Sequence, residues 1–225
     1  MQSEELQAFS DLVARRRSVR GFLTRAVDQQ TLDQVFTAAN GAPSNCNTQP
    51  WQVAVVSGAS CDRLRRRISD AMANGIMQMD FPYDGRYNGV YRERQVDSAD
   101  QLYNALGIPR KDKARRGVAF MRNFQFFDAP HAAFVFLPEP FGVREAADVG
   151  MYAQTLMLAM TAAGIACCPQ TSLSFHADIV REELALPEHY KLLFGISFGY
   201  EDTEHPANKA RLARAALSEA TQFFD

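Results

Sequence analysis

The chain has 225 residues, 47% of them hydrophobic and 22% charged, which suits one buried core and excludes intrinsic disorder. Twenty-four basic against 26 acidic residues leave a net charge of −2, so no overall field draws nucleic acid. The acids in MQSEELQAFSDLVARRR exclude a signal-peptide reading, and the four cysteines (46, 61, 167, 168) follow no metal-ligand spacing, so a reducing cytoplasm is the expected setting.

In chain order, Leu6, Phe9, Leu12 and Val13 recur at helical spacing behind Ser3, predicting a helix over 4–16. A second helix is predicted over 29–39, capped by Asp28 and stopped by Gly41. WQVAVVS (51–57) reads as a strand, and 60–72 as a helix with Leu64, Ile68 and Met72 inward. From 75 to 117 the periodicity fades into Tyr, Gly and Arg, which predicts an irregular, lid-like insertion holding one short helix over 98–106. HAAFVFL is a strand, 144–163 a long buried helix, IACC a short strand, 175–185 a helix and LLFGISFGY a strand. The tail from 201 to 225 is polar and ends in a predicted helix with Leu212, Ala216, Leu217 and Ala220. Strands alternating with helices point to one layered α+β domain over 1–225.

Several motifs fail their structural requirements. Gly195-Ile196-Ser197-Phe198-Gly199 matches a nucleophile elbow, but YEDTEHP follows where a helix is required, so a buried strand is expected. None of the four histidines forms a metal-binding pair, and no glycine-rich phosphate loop occurs. Val149–Cys168 is uncharged, yet its Gln154, Thr155 and Thr161 suit a core helix better than a membrane span.

Side-chain cations remain as the means of holding phosphate. In Arg16-Arg17-Ser18-Val19-Arg20, an extended backbone puts Arg16, Ser18 and Arg20 on one side and Arg17 and Val19 on the other. Two guanidiniums flanking a hydroxyl suit a phosphate; a solvated helix end is the alternative. Lys209 and Arg211 form a second cation pair. Ser44, Asn45, Asn47 and Gln49 crowd carboxamides into a loop stiffened by Pro43 and Pro50 and anchored by Trp51. Such a loop suits a polyhydroxyl chain or a heteroaromatic edge.

RRSVR, APSxxNxQPW, a buried helix followed by a short strand, and K-x-R, in this order over 12–57 and 120–211, resemble the nitroreductase family of FMN flavoproteins. The resemblance implies a three-layer α+β fold, with a mixed or antiparallel sheet flanked by helices, and an intertwined homodimer with FMN at the interface. It implies that Arg16, Arg17, Ser18 and Arg20 hold FMN from one subunit, with Lys209 and Arg211 joining on its phosphate. Ser44, Asn45 and Asn47 would reach it from the other subunit. Gln125 would lie along the ring's polar edge, and Pro169, Gln170 and Thr171 would approach N5, with Thr171 as hydrogen-bond donor. The family often has an acid at that last position. Arg20 is the candidate cation beside N1 and O2.

The resemblance also implies hydride transfer from NAD(P)H in ping-pong turnover, with no protein nucleophile and neither metal, membrane nor nucleic acid involved. The insertion ahead of RNFQFFDAP is most similar to that of nitrobenzoate-type reductases, implying small nitroaromatic or quinone acceptors. Phe124 is then a candidate to stack on the acceptor ring, and Arg92 or Arg94 to pair with its carboxylate. A flavin-dependent dehalogenase and a non-catalytic flavin-binding protein are the alternatives.

Overall fold

The computed structural model describes residues 3–225. Four strands form one antiparallel sheet in the order β1-β2-β4-β3: β1 is Gln52–Ser57, β2 His131–Pro138, β3 Ala166–Gln170 and β4 Tyr190–Gly199. The expected three layers are present, with an antiparallel rather than mixed sheet.

β2 is buried from His131 to Leu137, because both faces of this central strand are covered. The two-residue period divides its side chains between two cores. Ala133, Val135 and Leu137 face α2 (Gln29–Ala39) and α6 (Val143–Ala162), while Ala132, Phe134 and Phe136 face α3 (Gly58–Ala73) and α7 (Ala177–Glu183). The β2–β4 register shifts between Val135 and Phe136, so Val135 pairs with Phe194 and Phe136 with Leu192. The extra residue lets Leu192 join one core while Phe194, Ile196 and Phe198 join the other.

Ser197 is fully buried on β4, as rejection of the nucleophile elbow requires. The glycines around it are spacers. A Cβ at Gly195 would lie 2.6 Å from Leu173 Cδ1, and one at Gly199 would lie 2.7 Å from Pro130 Cδ.

The predicted core helices stand within a few residues of their expected bounds, and α1 is Glu4–Arg15, capped by the Ser3 side chain. The insertion differs. It carries a long helix α4 (Gly89–Ala105) and a further helix α5 (Lys113–Met121) where one short helix was expected. Neither buries a residue, and in α4 the apolar and charged side chains are scattered around the helix, leaving no stripe from which its length is read. The tail differs in the opposite sense: apart from a 3-10 turn at Pro206–Lys209 only the short α8 (Leu217–Ala220) is helical, and Leu212 lies outside it. β3 runs on through Pro169 and Gln170, carrying those residues into the sheet.

Candidate functional site

The N-terminal cations are set by one buried valine. After α1 the backbone becomes extended at Arg16, the Val19 amide donates to the Cys167 carbonyl at 3.0 Å, and Ser18 bridges Cys167 in parallel. Val19 packs on Phe22, Phe127, Ala129 and Cys168. With Val19 inward, Ser18 and Arg20 turn outward, the alternation expected from the sequence. Arg17 lies on the other side, ion-paired with Glu201 and donating to the Asn208 carbonyl at 3.1 Å.

Arg16, Arg17, Ser18, Arg20 and Arg211 line one cleft of about 770 Å³, together with Gln154 of α6, Ser98 and Leu102 of α4, and Arg214. Separated by about 190 positions, Arg20 and Arg211 are joined by a residue that sequence reasoning missed. Asn208 is 3% exposed; its Oδ1 accepts the Arg20 amide at 2.7 Å, and its Nδ2 donates to the carbonyls of Gly21 and Asp202 at 2.8 Å each. Its own carbonyl accepts from Arg17 and, at 2.7 Å, from Arg211. A single asparagine thus clamps the tail onto the arginine strand. Its one sequence signal is adjacency to Lys209-x-Arg211. Lys209 itself is exposed and does not line the cleft.

Beyond Gln154 lies a groove of about 390 Å³ lined by Gly150, Ala153, Gln154, Met157, Pro169, Gln170, Thr171 and Phe194. Gln154 lines both spaces. Thr171 is exposed at the end of β3. Gln170 is only 4% exposed and its side chain is committed inward, accepting from Ser197 Oγ and donating from Nε2 to the Asn123 carbonyl at 3.0 Å. Its side chain therefore does not serve the groove.

The carboxamide loop stands apart from both spaces. Ser44 Oγ accepts the Gln49 amide at 2.9 Å, and the Asn45 amide donates to Asp148 on α6 at 3.1 Å. Cys46, Asn47 and Gln49 have φ of 50°, 55° and 47°, a left-handed geometry held by these bonds. Trp51 stacks on Tyr152 at 4.9 Å, fixing the loop's exit to α6.

One expectation for the remaining candidates needs correction, and three further candidates lie outside both spaces of this protomer. Phe124 is fully buried, packed edge-on to Phe120 at 5.5 Å and His176 at 5.6 Å; as a core residue it is not available to an acceptor ring. Arg92 lines neither space and bonds Gln95 at 2.5 Å along its own helix. Gln125 is exposed but lies outside both spaces, its carbonyl accepting from Arg65 at 3.0 Å. Arg94 lines a neighbouring cleft and is ion-paired with Glu219 at 3.0 Å.

The cleft is strongly cationic and has no nucleophile. Behind Ser18, burial pushes the Cys167 thiol up to about 12, and burial raises Cys168 against the opposing pull of Arg20. Both stay protonated thiols at neutral pH. Among the described residues no cluster of His, Cys, Asp and Glu could hold a metal ion. The charge of its lining suits the space to an anion.

The nitroreductase family model matches residues 13–200. The chain belongs to the nitroreductase family. It is 49% identical to nitroreductase NfnB of Mycolicibacterium smegmatis over 218 residues, covering 96% of this chain and 93% of that one. It is 35% identical to a 4-nitrobenzoate reductase of Nocardioides over 207 residues, 89% and 83% of the two chains. The crystal structure of the FMN-dependent NfnB from Mycobacterium smegmatis in complex with NADPH superposes with a TM-score of 0.94 at 48% identity, covering 99% of this chain and 100% of that one.

Proposed function

We propose that this nitroreductase is FMN- and NADPH-dependent and reduces nitroaromatic acceptors. One observation carries the reading: guanidiniums from both ends of the chain converge on a cleft with no lining carboxylate, and Gln154 joins that cleft to the Thr171 groove.

The residues fit FMN. Arg16, Arg20 and Arg211 have no carboxylate partner among the described residues, so Arg16 and Arg211 are free to hold a phosphate and Arg20 the edge of the ring. Bound FMN would supply the two-electron redox chemistry between NADPH and the acceptor. The protein's own part is to hold, orient and polarise. Arg20 would place positive charge beside the ring's electron-rich edge, and Thr171 would offer a hydroxyl at the groove. The buried Cys167 and Cys168 thiols stay out of the reaction.

A second copy of the chain completes the site. Neither α1 nor α4 buries a residue within one protomer, and Leu6, Phe9, Phe223 and Phe224 are exposed. Ser44, Asn45 and Asn47 do not line their own cleft, which agrees with service to a partner's flavin. The purified protein should be a yellow dimer that consumes NADPH when 4-nitrobenzoate is added. Arg16→Gln and Arg211→Gln should each weaken FMN binding about tenfold or more, measured by flavin fluorescence titration of the apoprotein. Unaltered affinity in both variants would overturn the assignment.

A further inference from the structure

The cleft holds more positive charge than one FMN needs. Six arginines line it: Arg15, Arg16, Arg17, Arg20, Arg211 and Arg214. Only Arg17 is neutralised, by Glu201; among the described residues the other five have no carboxylate at ion-pair distance. A phosphomonoester brings about two negative charges at neutral pH. With Arg16 and Arg211 assigned to it and Arg20 to the flavin ring, Arg15 and Arg214 are left over. Arg15 sits in the last turn of α1, where a cation answers the helix dipole. Arg214 has no such role: its Nη1 touches only the carbonyls of Leu212 and Ala213, at 3.2 and 3.1 Å.

Arg214 also stands at a junction. A second cleft of about 620 Å³ between α4 and the tail shares Ser98, Leu212 and Arg214 with the first. A ligand too long for one space can pass into the other at this point. The second space is lined by Glu93, Asp97 and Glu219 against Arg94 and Arg214. Its carboxylates can accept hydrogen bonds from ribose hydroxyls or an exocyclic amine and repel a phosphate placed deep inside. The phosphate is thereby confined to the junction.

We propose that Arg214 binds a phosphate of the nicotinamide dinucleotide at the junction of the two clefts, with the adenosine end in the space between α4 and the tail. The assignment rests on the FMN reading above and adds a specificity residue to it. Arg214 is exposed and bonds only its own segment, so Arg214→Gln leaves the fold intact. In the FMN-loaded dimer, Arg214→Gln should raise KM for NADPH about tenfold while kcat at saturation and FMN content stay unchanged. Calorimetric titration with NADP+ should show a matching loss of affinity and a shallower salt dependence, and Arg214→Lys should restore part of both. An equal loss with NADH assigns the bridging pyrophosphate; a loss confined to NADPH assigns the ribose phosphate. Unchanged KM and NADP+ affinity with FMN retained would overturn this proposal alone. Loss of FMN from Arg214→Gln would overturn it too, by assigning Arg214 to the flavin. A wild-type protein that binds no FMN would overturn the underlying reading instead.

Discussion

The sheet and the skirt around it are built on opposite terms. β2 is buried along nearly its whole length, and every residue from His131 to Leu137 faces one of two cores. By contrast α1, α4, α5 and α8 bury nothing within one protomer. The sheet carries the stability, whereas the cleft draws Arg15, Ser98 and Leu102 from these helices and its other five arginines from the segments that follow α1 and precede α8. A binding site assembled from the least buried parts of a chain needs its own fasteners, and Asn208 is the chief one. Anion binding and folding are therefore separable here to an unusual degree.

Three measurements would sharpen or break that separation, beginning with the largest effect. Phe134→Ala removes a fully buried ring at the centre of the sheet and should cost about 3–5 kcal/mol in chemical denaturation, with FMN affinity unchanged in the fraction that folds. An FMN loss out of proportion to unfolding would mean that core and site are coupled. Asn208→Ala strands the Arg20 amide and removes one of two donors from each of the Gly21 and Asp202 carbonyls; about 1–3 kcal/mol of stability should go, together with most flavin retention. Stable protein that still holds FMN would show the clamp to be dispensable.

The smallest effect is in acid. Burial lowers the pKa of His131, His176 and His205, so all three fold as neutral rings. The unfolded chain binds their protons near pH 6.5, above the folded values, so stability is complete above about 6.5 and falls as pH drops below it. The melting temperature should hold between pH 7 and 8 and decline toward pH 5. A flat profile across that range would show that the three rings charge without cost.

His131 shows how such a ring is fixed. Its Nε2 accepts the Val27 amide at 2.9 Å, so Nδ1 carries the proton and donates to Ser57 Oγ at 2.5 Å. The nearby serine is therefore an acceptor, held by the histidine rather than activated by it, and forms no catalytic pair.

The sequence by itself determined the elements whose residues meet a core. The periods of 29–39, 60–72, HAAFVFL and 144–163 are visible because one side of each element, or both, is shielded by the same chain. It also carried the cation strand, since burying Val19 alone orients Ser18 and Arg20. Burial within one protomer is not the whole rule: α1 buries nothing yet shows its stripe, whereas α4, whose apolar and charged residues are scattered around the helix, was shortened, α5 was missed and the tail helix was overdrawn. Only the tertiary structure decided that Phe124 is core, that Gln170 turns inward to Ser197, and that Asn208 draws Arg20 and Arg211 together. Each of these depends on contacts between distant positions, which no local spacing encodes.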